Sequence, residues 1–279
     1  MSGPAMLNFF LLKGMPMICR YYKEGEKLNV ADLNMITVLI DRSETELTEV
    51  ALNEWRTGIN GPPHRHGQKE QIFFIVAGSG DITVGGETFS GIVNDMFYVP
   101  SGVTHQTNST GAEPLQYLLF NAFSNADKEG HASFADHISK VKDTRRQQAQ
   151  TQQADVDVAV EGAAQNKKGK FVKGMKGQKR IESDYGSSVL LLDRREAERC
   201  ETTAVSVKAN KKTPSASHKD MELTLFVLSG QGSAAIGKET QKVKQGDVLF
   251  VPRNSAFSLN AGADGLTYLS LATIIEKGK

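Results

Sequence analysis

The chain is poor in the features that place a protein at once. Its two cysteines, Cys19 and Cys200, lie far apart and make neither a disulfide framework nor a thiolate metal motif, which fits a reducing compartment. Neither charge dominates: 33 Lys and Arg against 32 Asp and Glu leave a net charge of +1, so no nucleic-acid partner is expected. The apolar run near the start, Phe9-Phe10-Leu11-Leu12, is too short to span a bilayer and lacks a basic flank or a small-residue cleavage site. Ile18 before Cys19 argues against lipoprotein processing, and Met15 or Met17 is an alternative start. A cytoplasmic protein with no membrane association is expected. There is no nucleophile–base pair, phosphate-cradling loop or zinc-protease motif, and Gly78-Ser79-Gly80 reads as a strand turn.

What is present is an internal repeat. A shift of 152 positions brings Leu39-Ile40-Asp41-Arg42 onto Leu191-Leu192-Asp193-Arg194, His66 onto His218 and Glu70 onto Glu222. The same shift superposes Gly78-x-Gly80 on Gly230-x-Gly232, Asp95 on Asp247, Pro100 on Pro252 and Asn108 on Asn260. A register held without gaps over this length implies two copies of one domain, not a solenoid. Each copy carries short apolar strands (71–77 and 96–99; 223–228 and 248–251) between Gly- and Asn-rich turns. That punctuation predicts an all-β fold, a sandwich or small barrel, occurring twice.

Chemistry concentrates in the first copy. His64 and His66 stand at i and i+2 on extended sequence, so their side chains share one face. With His105 brought alongside from a later strand, they would make a facial set of nitrogen ligands for a transition metal. The stretches Gly58-x5-His64-x-His66 and Pro100-x-Gly102-x2-His105, with Gly78 between them, resemble the two motifs of the cupin superfamily. The resemblance implies two tandem jelly-roll β-barrels, a bicupin, that pack as a pseudo-dimer within the chain. It also implies one divalent transition metal (Fe, Mn, Ni or Zn) in the first barrel.

Two positions depart from the family pattern. Where the family has a glutamate ligand, E-x6-G counting lands on Gln71, with Glu70 beside it as the minority alternative. Parity favours Gln71, which shares the inward face with Phe73 and Ile75. Glu70 is also matched by Glu222 in the second copy, which carries Ala216, His218, Leu223 and Phe257 at the four ligand positions and is expected to be metal-free. The other departure is Asn94 in place of a motif glycine, and Asn tolerates the positive φ a turn there needs.

The boundaries expected are an N-terminal extension (1–24), a metal-binding barrel (25–121), a linker (122–184) and a degenerate barrel (185–279). Phe134, Ile138 and Val141 at i, i+4, i+7 predict one amphipathic helix in the linker. Beyond the Gln-rich run to Gln153, residues 167–180 hold seven basic residues and no acidic one. They read as flexible and solvated, with a polyanion tether or a lid over a barrel mouth as the sharper alternative. Phe73, Ile75, Phe97 and Val99 are expected to line the substrate pocket, with Trp55 and Tyr98 as further candidates, suiting a small apolar or aromatic molecule. By resemblance to quercetinase-like bicupins, the expected activity is that of a mononuclear metal-dependent dioxygenase. A Lewis-acid isomerase or lyase and a non-enzymatic binding or sensor module are the alternatives, and a homodimer is possible.

Overall fold

The structure, a computed structural model, describes residues 17–128, 130–152 and 167–275. The Phe9–Leu12 run and Gln153 lie outside these residues. In the first half the strands are β1 (Cys19–Tyr21), β2 (Glu26–Val30), β3 (Asn34–Ile40), β4 (Thr48–Trp55) and β5 (Lys69–Ala77), then β6 (Ser79–Val84), β7 (Glu87–Ile92), β8 (Met96–Val99), β9 (His105–Asn108) and β10 (Leu115–Phe123). Helix α1 (Phe134–Thr151) follows. The second half holds β11 (Lys170–Val172), β12 (Arg180–Ser183), β13 (Gly186–Leu192), β14 (Cys200–Val207), β15 (Met221–Ile236), β16 (Glu239–Lys244), β17 (Asp247–Val251) and β18 (Phe257–Ile274). The expected all-β tandem barrels with one linker helix are what is observed.

The first barrel sets a seven-stranded sheet, ordered β11-β8-β5-β10-β4-β3-β2, against a three-stranded sheet, β7-β6-β9. In the second barrel the long strands β15 and β18 pair with each other along their whole length within one eight-stranded sheet. Strand parity builds two cores from one stretch of sequence. On β5 and β10, Phe73, Ile75, Tyr117 and Leu119 point into the first barrel. Their neighbours Ile72, Phe74, Leu118 and Phe120 point out and pack on Leu191, Phe226, Phe250 and Leu271 of the second. A continuous apolar run such as Ile72–Val76 is therefore a strand buried on both faces. Full burial of each such side chain contributes about 1.5–3 kcal/mol.

The interface between the barrels obeys the internal repeat. The Glu70 carboxylate accepts from the backbone N–H of Glu198 (2.9 Å) and Arg199 (2.7 Å). Its counterpart Glu222 accepts from Glu46 N–H (2.8 Å) and Leu47 N–H (3.0 Å), and from the Thr48 hydroxyl (2.8 Å). The Tyr98 hydroxyl also donates to Glu70. Tyr98 and Glu70 are thus interface residues, and neither faces the pocket.

The segments read as extension and flexible linker differ from expectation. Cys19 pairs with Leu249 of the second barrel, and Phe171 pairs with Phe97 of the first. These positions are 152 apart, so each repeat donates its leading strand to the other barrel. Two of the basic residues are held in place as well: Lys167 pairs with Glu198, and Lys170 with Glu196. A three-residue strand is too short for its pairing to show in hydrophobic pattern.

Helix α1 begins where Ser133 accepts from Asp136 N–H (3.1 Å), a standard N-cap, and runs well past the apolar stripe into the Gln-rich stretch. Phe134, Ile138, Val141 and Arg145 face the mouth of the first barrel. Turn chemistry follows the expected logic: Asn94 adopts φ 74°, and the matching residue of the second copy is Gly246 at φ 91°.

Candidate metal centre

The three histidines are assembled by backbone pairing. His64 and His105 form an antiparallel bridge, His64 N–H donating to His105 C=O (2.9 Å) and His105 N–H to His64 C=O (2.8 Å). Gly102 N–H donates to His66 C=O (2.7 Å), which ties the second motif to the first. The rings lie 4.2 Å (His64 and His105), 5.0 Å (His64 and His66) and 5.4 Å (His66 and His105) apart between centroids. One ring nitrogen from each falls within 4.8 Å of the others, and no other such His, Cys, Asp or Glu group occurs among the described residues.

Their chemistry suits a cation. His64 Nδ1 lies 3.0 Å from Pro62 C=O and His105 Nδ1 lies 3.2 Å from Val103 C=O. A carbonyl can only accept, so each Nδ1 carries the proton and each Nε2 keeps a lone pair for a ligand. Burial holds His64 and His66 well below the ordinary imidazole range and His105 down to about 4, with Arg145 lowering His64 further and Lys69 lowering His66. All three are neutral at pH 7, the form that binds metal.

Around them is a cavity of about 80 Å³, lined among others by Trp55, Lys69, Gln71, Phe73, Tyr117 and Arg145. Gln71 donates through Nε2 to Asn121 Oδ1 (2.9 Å), and its Oε1 is buried without a partner among the described residues. A buried amide oxygen left unbonded costs about 1–3 kcal/mol unless something else binds it. Together with three neutral imidazoles it makes a donor set that fits a divalent ion. Of the expected pocket residues, Phe73 lines the cavity and so does Trp55. Ile75, Phe97 and Val99 do not: they are fully packed in the barrel core on the same inward faces.

Sequence reasoning missed the polar surroundings of the histidines. Lys69 and Arg145 are buried cations in the cavity wall, and Arg145 also donates to Gln148 Oε1 (3.0 Å). Burial lowers the Lys69 ammonium below its usual range, while the Glu49 carboxylate is raised by its own burial. Glu49 accepts from Asn121 Nδ2 (2.7 Å), and its other oxygen lies 2.8 Å from His131 Nε2. His137, on the first turn of α1, stacks on His131 at 4.3 Å. The inward parity of Glu49 on β4 was available as a signal, but isolated charged residues among apolar ones read as solvent-facing until the sheet order is known.

The second barrel lacks all of this. Ala216 bridges Phe257 as His64 bridges His105, and the His218 ring stands 6.0 Å from the Phe257 ring. Leu223 and Val251 fill the place of Gln71 and Val99.

A cupin domain is found twice in the chain, over residues 54–121 and 204–271. The chain is a bicupin of the cupin superfamily. No curated protein matches it by sequence. Among solved structures it is similar to the formate complex of oxalate decarboxylase from Lactobacillus farciminis, at 12% identity and a TM-score of 0.66 over 95% of this chain and 88% of that one. It is similar also to a single-site mutant of Bacillus subtilis oxalate decarboxylase (14% identity, TM-score 0.65, 95% and 79% covered). A third is the coconut allergen cocosin (12% identity, TM-score 0.69, 95% and 87% covered). At these identities the likeness establishes the bicupin fold. No helix among the described residues is long and apolar enough to cross a membrane.

Proposed function

We propose that the first barrel of this bicupin is a mononuclear metal centre, held by Nε2 of His64, His66 and His105 and by the Gln71 amide oxygen, that acts on a small carboxylate. The observation that carries the reading is the donor set: three neutral imidazoles and a partnerless amide oxygen beside two buried cations, Lys69 and Arg145. A divalent ion there (Mn, Fe, Ni or Zn) would supply Lewis acidity and, if redox-active, chemistry with oxygen. With only neutral ligands its full +2 charge is available to an anion. Lys69, disfavoured as a cation by burial, is stabilised in its charged form when a carboxylate enters. Phe73, Trp55 and Tyr117 form the apolar wall that keeps water out.

This modifies the substrate expected from sequence. The two buried cations in the wall of the cavity, Lys69 and Arg145, favour a short acid over an apolar or aromatic ring. Oxygen-dependent cleavage of that acid, the dioxygenase reading, comes first. Decarboxylation without net oxidation is the second reading, favoured by Lys69 and Arg145, which can clamp a carboxylate, and in keeping with the oxalate decarboxylases that share the fold.

Elemental analysis of the purified chain is expected to find about one transition metal per chain, falling at least about tenfold in His105→Ala. The loaded protein is then given oxalate and other short mono- and dicarboxylates while dissolved oxygen and released CO2 are followed. Oxygen uptake supports the dioxygenase, and CO2 release without oxygen uptake supports the lyase. Saturable binding with neither leaves a binding module, and a metal-free protein that takes up no ion sinks the reading.

A further inference from the structure

Three adjacent strands carry a polar row across the inside of the first barrel. Glu49 on β4 is paired in register with Asn121 on β10, and Asn121 with Gln71 on β5. Their exposures are 0, 0 and 4%, so water does not compete for their hydrogen bonds. Asn121 Nδ2 donates to Glu49 Oε1 (2.7 Å), and Gln71 Nε2 donates to Asn121 Oδ1 (2.9 Å).

The direction of this row is dictated from one end. Ionised Glu49 can only accept, so the amide group of Asn121 that faces it is NH2, as the 2.7 Å contact from Asn121 Nδ2 has it. The Asn121 oxygen, on the other side of the amide, faces Gln71, which answers with its own NH2 (2.9 Å). That leaves Gln71 Oε1, and not its nitrogen, turned toward the histidines, where it has no partner among the described residues. An amide has no orientation preference of its own. Reversing the row would set two acceptors against each other at Glu49 and turn two donor hydrogens toward a cation.

The second barrel supplies an internal control. Its paired positions are Glu201, Ala272 and Leu223, so neither hydrogen bond can form. Lys69 is replaced there by Met221, and two of the three ligand histidines by Ala216 and Phe257, with only His218 kept. That barrel folds without the row, which therefore accompanies the histidines and not the fold. By contrast Glu70 and Glu222, which bind the interface, are present in both copies.

We infer that Glu49 is the positioning residue of the metal centre, acting through Asn121 to present the Gln71 oxygen, and not its NH2, as a metal ligand. The inference rests on the metal-centre reading above and adds to it a residue two side chains away from the ion. It also gives the helix a route to the site. His131, just before α1, lies against the second Glu49 oxygen at 2.8 Å, so docking of that segment bears on the same row.

The test is a double-substitution cycle read without activity. Gln71→Glu alone puts a carboxylate at each end, and Asn121 can donate to only one of them. Gln71→Glu combined with Glu49→Gln lets the row reverse: the amide introduced on β4 donates to the Asn121 oxygen, and Asn121 NH2 donates to the carboxylate introduced on β5. In the metal-free protein, Gln71→Glu is expected to lower Tm by about 3–8 °C, and adding Glu49→Gln to recover at least half of that loss. Glu49→Gln in the wild-type background is expected to lower Tm, the opposite sign. The recovery must vanish in an Asn121→Ala background, because the amide carries it. Additive Tm changes, or a recovery that survives Asn121→Ala and so acts through space, would overturn the inference. For the ligand, Co(II) titration should show Glu49→Gln binding about 10–100-fold more weakly than wild type, with a changed d–d spectrum. Equal affinity and an unchanged spectrum would also overturn it. A wild-type chain that takes up no Co(II) sinks the metal reading itself, and the Tm cycle tells that failure apart from failure of the row.

Discussion

Single ring nitrogens and amide oxygens decide what the first barrel can bind. His64, His66, His105 and His137 are each held below the ordinary imidazole range, burial being the first cause. In the unfolded chain they titrate near 6.5, so below that pH the unfolded state binds more protons than the folded one. A depressed pKa contributes stability that is present above the unfolded value and lost as pH falls. Each such group contributes a slope of about 1.4 kcal/mol per pH unit. Glu49 and Glu222, both raised by burial, act in the opposite sense between their unfolded and folded values, but these two carboxyls oppose the four imidazoles and His131, itself lowered by burial. The urea midpoint of the metal-free protein is therefore expected to fall steadily from pH 7 to pH 5. A midpoint flat or rising over that interval would contradict buried neutral histidines. Addition of metal should steepen the loss, because protons and the ion compete for the same three nitrogens.

Among the elements, helix α1 shows how far a hydrophobic stripe carries. Phe134, Ile138 and Val141 announced a helix, and the structure docks that helix on the mouth of the first barrel, bringing Arg145 and His137 to the cavity. Phe134 is 2% exposed at the first turn, where its N–H also donates to Asp41 Oδ2 (3.0 Å). Phe134→Ala is expected to cost about 3–5 kcal/mol and Ser133→Ala about 1 kcal/mol. Urea unfolding with hydrogen exchange on the helix amides measures both. If Phe134→Ala left helix protection intact, the packing of Phe134 would not be what holds the helix. What the stripe could not show is the partner surface, since an amphipathic pattern specifies that a face is buried but not against what. The short strands β1, β11 and β12 were too brief to show a pattern; β11 is held by backbone pairing, by Phe171 stacked on Phe97 and by Val172 in the core, and Cys19 of β1 packs on the second core.

The whole molecule is a pseudo-dimer closed by two carboxylates. Glu70 caps the 198–199 backbone and Glu222 caps the 46–47 backbone, positions related by the 152-residue repeat. Each exchanged leading strand adds a further link between the halves. Glu70→Ala and Glu222→Ala are accordingly expected to destabilise to a similar extent, about 1–3 kcal/mol each, through unpaired backbone N–H groups. Both should bind Co(II) as the wild type does, because neither carboxylate faces the histidines. Lost metal uptake in Glu70→Ala would return that residue to the ligand set. The apolar seam that both barrels share makes separate folding of either one unfavourable: Phe74, Phe120, Phe226 and Leu271 would all be exposed.

Spacing along the chain was enough to establish two copies of one β-domain, three convergent histidines in the first, and the loss of two of their counterparts from the second. Such spacing is local: parity on a strand and turn residues at set intervals need no knowledge of the rest of the chain. Which neighbours meet became visible only in the folded molecule. Strand parity had already favoured Gln71 over Glu70, but Ile75, Phe97 and Val99 proved to share the inward face without reaching the cavity. Glu49, Lys69 and Asn121 lie 20 to 72 residues apart in pairs and meet because β4, β10 and β5 are neighbours in one sheet. Sheet order is set by the competition of all strands for partners and by the shared burial of both cores, and no single segment encodes it.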